Sequence, residues 1–214
     1  MKKEKKEVKE KTIKSIKKEN SKKSYNEQAK IVMVIIASVF VLAVIGYVLL
    51  DSIRNFEYQG TQFNVVKEGE LIFYKTTFRI FKITGEHVSN YNVYLRTDPR
   101  QLNKIPFDGE LDLKKDVVVI APQEFDCEGK QVVAFTSMNI YFSDPPFLRN
   151  MYKGEASEVG CDPDGKYTFI RVQENMQTGI EQFGPSCYNI NVNNCEILEG
   201  IERFMLEAIV QANG

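Results

Sequence analysis

The chain has 214 residues and a formal net charge of −1, a length that suits one domain plus an appendage. The near-neutral total hides a split. Residues 1–30 carry twelve Lys and five Glu, net +7, while residues 51–214 carry 16 Lys and Arg against 24 Asp and Glu, net −8. Such asymmetry excludes one uniformly charged globular body and argues for two environments.

Residues 1–28 are Lys-rich and poor in apolar side chains; Val8, Ile13 and Ile16 are too few for a buried stripe. A largely disordered cytoplasmic tail is expected. Its lysines suit anionic lipid headgroups, at about 1 kcal/mol per basic residue near the surface. The tail has no Arg and no aromatic residue before Tyr25, which argues against nucleic acid as a partner.

Residues 31–50 contain no charge, and fourteen of the twenty are Ile, Val, Leu or Phe. Twenty helical residues span roughly 30 Å, the hydrocarbon thickness of a bilayer. Fourteen such side chains supply roughly −4 to −8 kcal/mol on the insertion scale. The run exceeds the h-region of a cleaved signal peptide, and no clean Ala-x-Ala site follows it. An uncleaved anchor helix over 29–55 is expected, with Asp51 to Glu57 carrying it on before the chain hands over. Lys17, Lys18, Lys22, Lys23 and Lys30 precede the run and only Arg54 closely follows it. The positive-inside rule then puts the N-terminus in the cytoplasm and residues 56–214 outside, at the cell membrane.

The outer part reads as α+β. Tyr58 to Val66 begins a strand region broken by Gly60. Glu70 to Ile83 is rich in β-branched and aromatic residues, Thr84-Gly85-Glu86 supplies a turn, and Val88 to Arg96 returns, so a long β-hairpin is expected. Leu111 and Leu113 alternate around Asp112, and Asp116 to Ala121 suits a buried strand. Residues 129–142 fit a helix or a strand. Residues 166–173 and Tyr188 to Val192 alternate as strands. The last segment predicts an amphipathic helix, with Ile201, Phe204, Met205, Ala208 and Ile209 on one face and Glu199, Glu202, Arg203 and Glu207 around the other. The fold class is therefore an N-terminal transmembrane helix followed by one mixed extracytoplasmic domain.

All four cysteines, Cys127, Cys161, Cys187 and Cys195, lie in the acidic part, and an even number outside a membrane fits two disulfides. Cys187 and Cys195 bracket a short strand, so a local bridge is easy, leaving Cys127 to pair with Cys161. This is one of three connectivities. No Cys-x2-4-Cys knuckle or Cys-x-x-Cys pair points to zinc or redox chemistry.

His87, the only histidine, sits beside the Thr84-Gly85-Glu86 turn and reads as a solvated hairpin residue. No nucleophile elbow, His-Glu-x-x-His or phosphate-cradling loop occurs, and no cofactor is expected. Asp126 and Glu128 flank Cys127, and Asp162-Pro163-Asp164-Gly165 follows Cys161. If Cys127 and Cys161 were bridged, these acids would meet, as a hydrolase or a Ca²⁺ site could require. Arg96, Asp98 and Arg100 lie around an Asp-Pro turn, where two guanidinium groups could clamp an anion; the plainer reading is a strand end with a local Arg–Asp pair.

The anchor followed by Asn55-Phe56-Glu57-Tyr58-Gln59-Gly60, then Leu95-Arg96-Thr97-Asp98-Pro99-Arg100, then Cys187-Tyr188 and Asn194-Cys195-Glu196-Ile197-Leu198 ahead of Glu202-Arg203-Phe204, resembles a group of uncharacterised membrane-anchored proteins from archaea. The resemblance covers the span and the outer domain but not the Lys-rich tail. It implies location and architecture and no activity. The functional expectation is a membrane-tethered module that binds a protein or envelope partner; the alternative is a tethered hydrolase working near Cys127 and Cys161.

Overall fold

A computed structural model of the chain describes residues 30, 32–82, 84–121, 127–154 and 159–213. The Lys-rich tail and Asp126 lie outside the described residues. The chain divides into two compact units, Met1–Ile53 and Arg54–Gly214.

The first unit contributes α1, Val32–Arg54, with a mean hydropathy of 2.9 over its most apolar window, none of which is buried. The helix is long and apolar enough to cross a membrane. Ser38 Oγ donates back to the Ile35 carbonyl at 2.8 Å, which satisfies its hydroxyl within the helix. The helix stops at Arg54 instead of running on toward Glu57, because Asn55–Tyr58 pairs as strand β1.

The second unit holds two sheets. β1, β2 (Thr61–Glu68), β3 (Leu71–Phe81) and β4 (His87–Leu95) form an antiparallel meander in that order. Thr61, Phe63, Thr76, Phe78, Val93 and Leu95 are buried, while Gln62, Asn64, Thr77 and Asn92 stay exposed. That is the period-2 pattern of a sheet with one wet face. The expected long hairpin is β3–β4.

The second sheet has six strands in the order β5-β9-β10-β8-β6-β7. They are β5 (Phe107–Asp108), β6 (Asp116–Ile120), β7 (Asn150–Lys153), β8 (Thr168–Glu174), β9 (Gly179–Gly184) and β10 (Cys187–Val192). β6, β7, β8 and β10 run parallel, and β9 runs against β10. Parallel neighbours cannot be joined by a hairpin and need a crossover, usually helical. The ambiguous residues 129–142 supply it as α3, Lys130–Ser143, between β6 and β7. Topology here overrides the β-branching of Val132, Val133 and Ile140. Leu111 to Leu113 form no strand; β5, β7 and β9 were not expected.

Two further helices complete the unit, α2 (Pro99–Leu102) and α4 (Ile197–Asn213). α4 packs on α3, α2 and β10. Ile197, Ile201, Phe204, Met205, Leu206 and Ile209 are each at most 2% exposed, and each buried side chain contributes about 1.5–3 kcal/mol. Gly200 lets the helix approach the sheet, since a Cβ there would sit 3.2 Å from Ile190 Cγ2. The expected apolar stripe is present, but two of the polar residues expected around the other side are buried: Glu202 is 1% and Arg203 6% exposed. Both are buried because both are fully partnered, as shown below, which is the condition for burying charge.

The disulfides are Cys127–Cys195 and Cys161–Cys187, so the expected local bridge between Cys187 and Cys195 is not made. Cys187 opens β10 and Cys195 follows its end, so the strand itself holds the two apart. Cys127–Cys195 ties the segment before α3 to the segment before α4. Cys161–Cys187 pins residues 159–167 onto the face of the second sheet opposite α3 and α4, over Phe169 and Ile120.

Candidate functional site

Arg96, Asp98 and Arg100 come together as a corner. Asp98 caps α2 through the Arg100 N–H at 2.9 Å, and the Arg100 guanidinium grips the same carboxylate at 2.6–3.1 Å. Arg100 also lies over the Phe56 ring, 4.1 Å from its centroid. Burial works to raise the Asp98 pKa, but the hydrogen bonds from Arg100, with one from Tyr74, hold it below the usual carboxylate value. Arg96 does not join this pair; its side chain is exposed and stacks near Phe73, 5.8 Å from the ring centroid.

The backbone before Asp98 takes a second carboxylate. The N–H groups of Arg96 and Thr97 donate to Glu202 Oε1 and Oε2 at 2.7 and 2.8 Å. Arg203 beside it donates to the Ile105 carbonyl at 3.1 Å and to Glu207 at 2.8 Å, and its cation sits 5.3 Å from the Phe107 ring centroid. The motif therefore does bind anions, but both belong to the chain. It is a structural corner, in keeping with the plainer reading.

Among the described residues the acids near the cysteines are not tied together. Cys127 and Cys161 belong to different bridges, so the link that would have drawn Glu128 toward Asp162 is missing. Asp162 accepts the Asp164 and Lys166 N–H groups in a local turn, and Asp164 pairs with Lys166 at 2.9 Å. Among the described residues no group of three or more His, Cys, Asp or Glu could hold a metal ion. His87 is exposed, with Nε2 2.9 Å from Asn90 Oδ1.

What the fold does build is a cleft between α3 and the edge strand β7. Its volume is about 540 Å³, and its lining is Val119, Ala121, Gln131, Phe135, Met138, Asn139, Met151, Tyr152 and Lys153. The size falls within the about 300–1,000 Å³ of small-molecule sites. The position follows from topology. α4 covers one flank of α3, whereas β7 closes the sheet and is four residues long, so the other flank stays open. Residues i, i+4, i+7 and i+8 of α3 (Gln131, Phe135, Met138, Asn139) face it, the spacing of one helical stripe. Ala121 and Lys153 put one end of it at the carboxyl ends of β6 and β7, where open parallel sheets commonly bind ligands. Gln131 Oε1 is itself shut off from solvent and, among the described residues, accepts no hydrogen bond, an orphan acceptor of the kind that folded proteins rarely leave.

No protein-family model, curated protein or solved structure matches this chain.

None of the cleft residues was singled out from the sequence. Phe135 and Met138 fell in the ambiguous segment, and Met151 to Lys153 belong to a strand too short to show a period. The usable signal was the pairing of Asp116–Ala121 with a following helix-length segment, which marks a crossover unit.

Proposed function

We propose that the chain is a membrane-tethered extracytoplasmic binding module whose α3–β7 cleft takes an apolar small molecule. The cleft carries this reading: a concave, mainly apolar site with a few polar groups is the general form of a ligand pocket. The length and hydropathy of α1 support the tether. The lysines before α1, against Arg54 alone close after it, support a cytoplasmic N-terminus, and the two disulfides support an oxidising compartment for the second unit. In this reading the tail's lysines meet anionic headgroups of the inner leaflet.

The test uses the full chain in lipid nanodiscs, titrated with an uncharged solvatochromic dye. Saturable binding is expected for wild type and for Met176→Trp, at a position that is 93% exposed. Met151→Trp, which fills the cleft, is expected to abolish it. Unsaturable partition, equal in all three proteins, would sink the cleft reading. The topology has its own test, a membrane-impermeant thiol reagent applied to intact cells. Labelling only after reductant supports an outer, bridged domain; labelling without reductant contradicts it.

A protein or envelope partner is the second reading. β7 is the last strand of its sheet, and no strand pairs with its outer edge among the described residues. An extended segment could add there beside the cleft.

A further inference from the structure

We infer, on the tethered reading above and independently of the cleft, that the outward face of the β3–β4 hairpin docks on an anionic membrane surface. Lys75, Arg79 and Arg96 meet the headgroups, with Phe73 and Tyr94 beside them.

Strand register brings these residues together. Thr76 and Phe78 are buried and Tyr74 half-buried, so alternation turns Leu71, Phe73, Lys75, Thr77, Arg79 and Phe81 to the other face of the first sheet. On β4, Tyr94 pairs with Lys75, Asn92 with Thr77 and Asn90 with Arg79, which puts them on that face too. The Thr77 hydroxyl donates to Asn92 Oδ1 at 2.8 Å. The Phe73 and Tyr94 rings meet edge to face, with centroids 6.1 Å apart. Arg96 reaches the same side, over the Phe73 ring.

The composition of this face runs against that of the unit around it. β3 and β4 contain no Asp or Glu, whereas residues 51–214 are net −8. The acids on this side of the sheet come from β1 and β2: Glu57, which accepts from Gln62, and Glu68, opposite Leu71 at the end of the strand. Residues 122–126 and 155–158, whose acids lie outside the described residues, follow β6 and β7 of the other sheet in sequence. Among the cations stand apolar groups left in water, with Leu71 51%, Phe81 54% and Tyr94 41% exposed. Cations mixed with exposed aromatic and aliphatic groups match the surface of a bilayer. There anionic headgroups attract basic residues, and aromatic rings sit at headgroup level. An acidic polymer in water would pair the cations and leave Leu71 and Phe81 wet. The chain's continuity favours the same occupant: α1 ends at Arg54 and β1 starts at Asn55, so no linker separates the apolar run from the first sheet.

The chain contains no tryptophan, so one introduced indole reports cleanly. The full chain is placed in nanodiscs of phosphatidylcholine, alone or mixed with phosphatidylglycerol, with the lipids brominated close to the headgroup. Tyr94→Trp reports from the face, and Thr77→Trp repeats the reading from its centre should the first disturb packing. Met176→Trp, 93% exposed between β8 and β9, is the control, and Tyr47→Trp, within α1, reports on the tether itself. Quenching of the face reporters above the control is expected in the anionic discs and not in the zwitterionic ones. Salt is expected to release it, and replacing Lys75, Arg79 or Arg96 by Gln is expected to lower the docked-to-undocked ratio about fivefold per cation removed. Face reporters no more quenched than the control, with Tyr47→Trp quenched, would overturn the docking and leave the tether standing. Unquenched Tyr47→Trp would sink the tether and the docking with it. Equal quenching in both lipids would overturn the anionic surface as the occupant. A response of the face reporters to soluble polygalacturonate, with none to lipid, would overturn the membrane in favour of an acidic glycan.

Discussion

Glu202, in the middle of α4, accepts the backbone N–H of Thr97 at 2.8 Å across 105 positions of sequence. With the neighbouring bond from Arg96 it fixes the end of β4 to the core helix. The first sheet is thus joined to α4 by one buried carboxylate as well as by apolar contacts. Burial pushes the pKa of Glu202 up, and the hydrogen bonds from Arg96 and Thr97 only partly offset this.

A pH dependence follows from that direction. The folded state holds the Glu202 proton more tightly than the unfolded state, so this group's contribution is full below the ordinary carboxylate value. It is lost as pH rises through the raised value. Chemical denaturation across this window is expected to show wild-type stability falling with pH by an increment that Glu202→Gln lacks. Gln offers one acceptor where two N–H groups need one each, so the variant is also expected to lose about 1–3 kcal/mol. Identical pH slopes in the two proteins would be inconsistent with the burial.

Asp98 behaves in the opposite sense. Its pKa is lowered, so its contribution is present above the ordinary value and is lost as pH falls through the lowered one. Asp98→Asn keeps the cap and loses the ion pair with the half-exposed Arg100, at an expected cost under about 1 kcal/mol. Asp98→Ala loses both and is expected to cost about 1 kcal/mol more. Urea titration separates the two steps.

Peptide mapping without reductant is expected to recover Cys127 joined to Cys195 and Cys161 joined to Cys187. Replacing either pair by Ser is expected to cost roughly 2–5 kcal/mol. The bridge of separation 68 restrains more chain than that of separation 26, by about 0.9 kcal/mol in the loop-entropy account. Recovery of a Cys187–Cys195 peptide would refute the connectivity.

Gly184 lies against the second bridge. A Cβ there would fall 2.5 Å from Cys161 Sγ and 3.2 Å from Cys187 Cβ, closer than atoms pack. Gly184→Ala is therefore expected to destabilise by about 1–3 kcal/mol through overpacking. Thermal melts under oxidising and reducing conditions check it, with a smaller loss expected once the bridge is reduced.

The contrast between β3 and β7 shows what the sequence could disclose. β3 has eleven residues and β4 nine, long enough for β-branched and aromatic enrichment and a turn to be unmistakable. β7 has four residues and β5 two, and their strand character comes from neighbours. In α4 the apolar stripe was legible, but the burial of Glu202 and Arg203 was not, because their partners lie about 100 positions away. The cysteines pointed to disulfides, yet their pairing depended on the extended β10 separating Cys187 from Cys195. Asp98 and Arg100 form a local pair that the motif suggested, with Arg96 apart from it; the second anion, Glu202, could not be read from the motif. The cleft was invisible for a similar reason: it exists only where α3 overhangs an edge strand.

The most direct test of the account is photocrosslinking in living cells from a benzophenone amino acid at position 135, followed by mass spectrometry of the intact chain. The account expects an adduct of small mass that disappears when Met151→Trp fills the cleft. Adducts with macromolecules alone, or a small adduct unchanged by Met151→Trp, would contradict it.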